Sequence, residues 1–391
     1  MSLFRVRPLL RCNATRLCNQ SRRYLATSSA ADPDPSAGTN QQRHATSNRV
    51  RLVEVGPRDG LQNEKKAIPL TTKIELIEKL AKVGLTDIEA GSFVAPKWVP
   101  QMAESNEVLE YLLKYPPNSL NPIAYSFLAP NAKGLQNALS ILRNHPNTYR
   151  TLDQQTSSPY EPDEASPAKS APGAESTSGK PLIELSVFAA ATESFTQKNL
   201  NCSIAKSLEN FKEVIQGGKA HGLRVRAYIS VVLGCPFEGY DVDPKKVAEI
   251  ACDLMEMGAD EIALGDTTGM GTAPRTSELL RAMHAAGIRN EDMAMHFHDT
   301  YGQALVNTAV SLEHGIRSFD SSVGGLGGCP YSPGATGNVS TENMAYFMES
   351  LGMDTGVDLE ALCDIGDWIT KEIGKPNGSS VGKAILGKRG A

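Results

Sequence analysis

The sequence predicts an α/β fold, a closed TIM (β/α)8 barrel carrying a C-terminal helical extension, and three observations lead there. Eight short β-rich runs alternate with amphipathic helical stretches over most of the 391 residues. The pattern of helix end, glycine and new strand recurs in Val83-Gly84-Leu85, Met257-Gly258-Ala259 and His314-Gly315-Ile316. With two polar segments set aside, about 305 residues remain, which suits one barrel of ~250 residues with additions. Eight β/α units with right-handed crossovers point to closure rather than to a doubly wound sheet.

The elements follow in order. Residues 1–49 are Arg-rich and Ser-rich, with no acid before Asp32 and with scattered apolar residues (Leu3, Phe4, Leu9, Leu10, Leu17), the composition of a mitochondrial transit peptide followed by a linker. Strands are expected near 51–55, 86–90, 122–127, 182–189, 224–232, 260–264, 293–298 and 316–320. One helix is expected from Thr72 to a stop at Gly84, another from Asp243-Pro244 to Gly258, and a third over about 133–143. Residues 144–180 are rich in Pro and Ser and nearly free of large apolar side chains, and they read as a disordered insertion. Because this insertion follows a helix and precedes a strand, it is expected on the barrel face away from the catalytic loops. The folded domain is thus 50–391, interrupted once.

Composition narrows the function. A hydrophobic content of 40% with 21% charged residues fits a soluble globular chain, and no apolar run approaches a membrane span. The net charge of −5 includes an N-terminal segment with eight Arg against Asp32 and Asp34, so the rest is more acidic still and nucleic acid is a poor partner. The seven Cys show no CxxC pair and suit a reducing compartment.

Polar residues gather where the strands end. The first strand runs into Gly56-Pro57-Arg58-Asp59-Gly60, in which Arg58 and Asp59 are either a cation and a metal ligand or a surface ion pair. In the seventh, alternation puts Ala294, His296 and His298 toward the axis and Met293, Met295 and Phe297 toward the helices. Two imidazoles with carboxylate or amide oxygens make an open site for a divalent cation; the bland alternative is a pair of hydrogen-bonded interior histidines. After the eighth strand comes a glycine-rich loop, 321–338, which places Cys329 in a mobile stretch as a proton-transferring thiol and ends at Asn338, an amide donor for the cation. Glu89, with Ser92 just beyond it, ends the second strand; Arg226 and Tyr228 lie on the fifth; Asp266 follows the sixth, where it could simply cap the next helix. Convergence of all these groups at one barrel end favours a site. The other histidines, at 44, 145, 221, 284 and 314, are expected to be solvated.

The motifs at 53–64 (VEVGPRDGLQNE), 92–101 (SFVAPKWVPQ), 296–304 (HFHDTYGQA) and 325–331 (GLGGCPY) closely resemble those of the 3-hydroxy-3-methylglutaryl-CoA lyase family, over about 50–143 and 181–375. The resemblance implies an oxo-acid lyase that cleaves 3-hydroxy-3-methylglutaryl-CoA to acetyl-CoA and acetoacetate, as in leucine degradation and ketone-body formation in the mitochondrial matrix. It implies that Asp59, His296, His298 and Asn338 hold Mg²⁺ or Mn²⁺, that Arg58 stabilises the enolate oxygen, that Glu89 and Asp266 shape a polar pocket, and that Cys329 acts from the loop. Arg58, Lys65, Ser92, Arg226 and Tyr228 are expected to receive the acyl-CoA. The first proton is assigned to His296 or a water on the cation, with Asp59 as an alternative. Two departures from the family pattern are Phe297 in place of Cys, expected to matter little because it points outward, and Gly324 in place of Ala, expected to loosen the loop. A homodimer is compatible with the sequence, although no residue pattern selects it. Two competing readings stay open: an acyl-CoA condensing synthase of the isopropylmalate or homocitrate type, and a noncatalytic binding protein on the same scaffold.

Overall fold

The computed structural model describes residues 48–119, 121–152, 179–328 and 337–390. Its eight strands form a closed parallel barrel in sequence order: β1 (Arg51–Glu54), β2 (Asp87–Ser92), β3 (Ala124–Leu128), β4 (Leu182–Ala190), β5 (Arg224–Ser230), β6 (Glu261–Asp266), β7 (Met293–Phe297) and β8 (Ser318–Ser321). All eight runs expected from the sequence are strands, and β1 pairs with both β2 and β8 to close the ring. Around them lie α1 (Leu70–Lys82), α2 (Ser105–Lys114), α3 (Ala132–Asn144), α4 (Glu193–Leu200), α5 (Ile204–Ala220), α6 (Pro244–Met257), α7 (Ala273–Ala285) and α8 (Ala304–Glu313). The C-terminal extension is α9 (Thr341–Ser350), α10 (Leu359–Ile373) and α11 (Ser380–Arg389).

Local chemistry sets these boundaries. The Asp243 side chain accepts from the Lys245 N–H, Pro244 occupies the first turn of α6, and the helix stops at Gly258. Asn131 caps α3 through the Gly134 N–H at 3.1 Å. One boundary differs from the sequence expectation: α1 begins at Leu70 rather than Thr72, because Pro69 already holds the chain extended at the cap.

The main apolar core lies between strands and helices. Met293, Met295 and Phe297 belong to it with Leu264, Phe319 and Leu279, as the alternation of β7 requires. Phe297 therefore does face the helices. Inside the barrel the apolar cluster is small, Tyr228, Ala263 and Ala294 with Phe188 against them. Much of the remaining interior is charged. Arg51 pairs with Asp87 and Glu261, Arg224 with Glu184 and Glu261, and Arg226 with Glu261 at 2.8 Å and Asp320 at 2.6 Å. Interior charges survive only when paired in this way, since an isolated one would carry an uncompensated desolvation cost.

The expected insertion is narrower than 144–180. Asn144 still belongs to α3, the Arg150 N–H donates to the Pro181 carbonyl at 2.9 Å, and the Leu152 N–H donates to the Gly222 carbonyl at 2.9 Å. These backbone bonds fasten 150–152 beside the starts of β4 and β5. The intervening chain thus leaves from the strands' N-terminal end, opposite the loops that follow them; the expectation of disorder falls on 153–178, outside the described residues. The transit peptide expected over the first residues lies outside them as well. Among the described residues no helix is long and apolar enough to cross a membrane.

Candidate metal centre and active site

The turn after β1 sets up the first two groups. The N–H groups of Arg58, Asp59 and Gly60 all donate to the Val55 carbonyl, at 3.2, 2.8 and 3.1 Å, winding Gly56–Gly60 into one π-helical turn. This turn points Asp59 at the end of β7. There the carboxylate of Asp59 and the imidazoles of His296 and His298 place their ligand atoms within 4.8 Å of one another.

Asn338 completes the cluster through the returning end of the glycine loop. The Asp299 N–H donates to the Gly337 carbonyl at 2.8 Å and the Val339 N–H to the Phe297 carbonyl at 3.2 Å, laying 337–339 along β7 with Asn338 bridged to His298. Glycine is required in this approach. Gly337 has φ +87°, and a Cβ there would stand 2.6 Å from the Gly327 carbonyl carbon; one on Gly327, at φ +129°, would stand 2.6 Å from the Asn338 amide nitrogen. The Asn338 Nδ2 donates to Asp59 Oδ2 at 2.9 Å and to the Leu326 carbonyl at 3.1 Å, leaving Oδ1 buried without a hydrogen-bond partner. His298 Nδ1 is also buried and unpartnered.

Those two orphaned atoms, beside a carboxylate and a second imidazole, fit a divalent cation. The donors are oxygen and nitrogen with no thiolate among them, a set that suits a hard or borderline divalent cation. Burial of Asp59 opposes its ionisation, yet Arg58 and the two imidazoles hold its carboxyl down at about 2. Burial and the neighbouring His296 hold His298 down at about 4. Burial also disfavours a charged His296, but the hydrogen bond and charge of Asp320 outweigh it and raise its pKa.

Arg58 is the fixed cation beside this cluster. One guanidinium nitrogen lies 2.7 Å from Asp59 and another 2.5 Å from Glu89, while the group sits 5.6 Å from the centre of the Tyr228 ring. Glu89 is fully buried in the middle of β2, which runs on to Ser92 rather than ending at Glu89 as expected, and it also accepts from the Ser186 hydroxyl at 3.3 Å. Asp266 is fully buried too. Its Oδ2 accepts from the Gly271 N–H at 2.9 Å, and its Oδ1 has no partner. It therefore does not cap α7, whose cap is Thr272; it braces its own loop, and burial pushes its carboxyl up to about 7 against the Gly271 and Met270 N–H groups and the nearby His296 and Arg275.

The remaining expected residues are dispersed. Ser92 is buried, with its hydroxyl accepting from the Val94 N–H at 3.2 Å to shape the chain after β2. Lys65 is exposed on the segment after the π-turn. Arg226 is only 1% exposed and spends its guanidinium on Glu261, Asp320 and the Tyr228 hydroxyl, so it supports the site from inside the barrel rather than facing a ligand. Cys329 lies outside the described residues. Gly324 does not loosen the loop: it holds a left-handed conformation at φ +65°, and both carboxylate oxygens of Glu342 accept from its N–H at 3.0 Å. Three histidines expected in solvent are half-buried and partnered, His284 with Asn290 at 2.6 Å, His314 with Ser277 at 2.8 Å and His145 near Glu110. His221 is exposed, and His44 lies outside the described residues.

Three partners were not singled out from the sequence. Gln62 donates to Asp59 Oδ1 at 2.9 Å, Asp320 contacts His296, and Glu54 ties together the Gly56 N–H, the Val323 N–H and the Thr341 hydroxyl. The available signal was an acid inside a strand, Glu54 in β1 and Asp320 in β8, where burial demands a partner.

Comparison with known proteins agrees with the geometry. The HMGL-like family matches residues 49–148 and 173–369, with its gap falling on the insertion. A Pseudomonas aeruginosa protein named 3-hydroxy-3-isohexenylglutaryl-CoA/hydroxy-methylglutaryl-CoA lyase is 48% identical over 87% of this chain and 98% of its own. The mitochondrial hydroxymethylglutaryl-CoA lyase of Rattus norvegicus is 44% identical over 86% of this chain and 89% of its own. Among solved structures, a hydroxymethylglutaryl-CoA lyase from Pseudomonas aeruginosa superimposes with TM-score 0.73 at 46% identity, covering 88% of this chain and 99% of that one. An HMG-CoA lyase from Acinetobacter baumannii in complex with coenzyme A and 3-methylmalate gives 0.71 at 30% identity, over 87% and 96%. Sequence motifs, barrel and site thus converge, and the chain belongs to the HMGL-like family.

Proposed function

We propose that this protein is a carbon–carbon lyase that cleaves 3-hydroxy-3-methylglutaryl-CoA to acetyl-CoA and acetoacetate. The observation that carries the reading is the juxtaposition, at the catalytic end of one barrel, of a four-donor oxygen and nitrogen cluster with the buried cation Arg58. The names and extent of the relatives support a lyase over a condensing synthase or a noncatalytic barrel.

Asp59, His296, His298 and Asn338 would hold Mg²⁺ or Mn²⁺, which when bound lowers the pKa of a coordinated tertiary hydroxyl. Arg58, restrained by Asp59 and Glu89, supplies a preorganised positive charge for the thioester enolate that forms as the C2–C3 bond breaks. Asp266 is the best candidate to take the hydroxyl proton. Its pKa of about 7 and unpartnered Oδ1 suit a base at neutral pH, and it follows Gly265, the β6 residue in register with His296. Asp59, at about 2, is a poor proton acceptor, and His296 already engages Nδ1 with Asp320. Cys329, on the loop rooted at 323–328, then donates a proton to the enolate carbon. Lys65, exposed beyond the π-turn, is assigned to the anionic CoA moiety. The N-terminal composition and the rat relative's mitochondrial name support a matrix location.

Chelation tests the cation assignment. Exhaustive treatment with EDTA is expected to abolish acetoacetate formation and added Mg²⁺ or Mn²⁺ to restore it; full turnover in rigorously metal-free protein would contradict it.

A further inference from the structure

We infer that Asp320 is a positioning residue that fixes the tautomer and aim of His296, and that Arg226 clamps Asp320 for this task. The inference rests on the reading of Asp59, His296, His298 and Asn338 as a cation site. Residue 320 lies on β8 in register with His296 on β7. One carboxylate oxygen, Oδ2, is 3.0 Å from His296 Nδ1, and the other accepts from Arg226 Nη2 at 2.6 Å. The side chain has no solvent exposure, so no water competes for either oxygen.

An ionised carboxylate can only accept hydrogen bonds. His296 Nδ1 must therefore carry a proton, which leaves the Nε2 lone pair free for a cation. Arg226 keeps the carboxylate ionised and immobile, and its far side is anchored by Glu261 at 2.8 Å. It also donates to the Tyr228 hydroxyl at 3.0 Å, and the Tyr228 ring meets His296 edge to face, with centroids 6.1 Å apart. The imidazole is thus confined by two groups that share one guanidinium. His298 differs, since its Nδ1 is buried and unpartnered and is the atom left for a cation. The two histidines therefore offer different atoms, His296 its Nε2 with Nδ1 held by Asp320, and His298 its Nδ1. Supporting contacts of this kind are worth about 10- to 100-fold in metal affinity.

The test measures Mn²⁺ binding to cation-free full-length protein by electron paramagnetic resonance, independently of turnover. In Asp320→Asn the amide keeps its oxygen on Arg226 and turns its NH₂ to His296, which forces the opposite tautomer. The expected result is Mn²⁺ affinity about 10- to 100-fold below wild type, and no further loss when Asp320→Asn is added to His296→Ala. Wild-type affinity in folded Asp320→Asn would overturn the inference, as would an equal loss in the His296→Ala background. Failure of wild type to bind Mn²⁺ would remove the cation reading itself, and this inference with it. A second measurement needs no variant at residue 320. Long-range ¹H–¹⁵N correlation spectra of histidine-labelled wild type, at a pH where His296 is neutral and with its signals assigned through His296→Ala, should show the proton on Nδ1. A proton on Nε2 would overturn the inference whatever the variant does.

Discussion

At the residue scale, Arg58 and Asp59 show how a common dipeptide becomes a site. On a surface the pair would contribute little; here the π-turn buries Arg58 and presents Asp59 to two imidazoles and an amide. The dipeptide was legible as chemistry because it followed a strand, but its three-way convergence on the Val55 carbonyl depends on backbone geometry that no residue type announces. The loop thiol gives the prediction at this scale. Cys329→Ser is expected to lower turnover by about 10²- to 10⁴-fold, the contribution typical of a positioned proton donor, with an unchanged melting temperature. Turnover near wild type would remove the thiol from the mechanism.

At the element scale, the glycine loop is anchored by two buried glutamates. Glu54 joins the turn bearing Arg58 to Val323 and Thr341, while Glu342 holds the Gly324 N–H. Burial pushes Glu54 up to about 7 and Glu342 up to about 8, in each case against their hydrogen bonds. For Glu342 the folded state binds its proton more tightly than the unfolded chain does. Its contribution to stability is therefore present below an unfolded pKa near 4.5 and is lost as pH rises through about 8. Glu342→Gln, which cannot ionise, should gain on wild type by on the order of 3 kcal/mol between pH 5 and pH 9 in urea unfolding. A stability difference that does not change with pH would show that Glu342 does not titrate in this range. Strand and helix positions were legible in the sequence because period-two alternation, capping residues and glycine stops are local signals. The anchoring of the loop was not, because it links residue 54 to residues 323 and 341 across the closure of the barrel.

At the scale of the whole molecule, closure of β1 onto β8 brings the polar strand ends to one face and leaves the insertion attached at the other. The order of elements therefore predicted both the barrel and the end of it at which residues 150–152 are fastened. The charged interior was hidden. Arg51, Arg224, Arg226, Glu184, Glu261 and Asp320 each look like ordinary strand polar residues until parallel register stacks them. That same stacking explains why Arg226, expected at the ligand surface, lies beneath it. The chain is acidic, with a net charge of −5 even including the Arg-rich start, so the proposed reception of an anionic thioester rests on local cations, Arg58 and Lys65 in this proposal. The most direct test of the account is to incubate the purified protein with 3-hydroxy-3-methylglutaryl-CoA and Mg²⁺ and to quantify both products. The account predicts acetoacetate and acetyl-CoA in equal amounts; intact substrate, or condensation of acetyl-CoA with a 2-oxo acid under the same conditions, would contradict it.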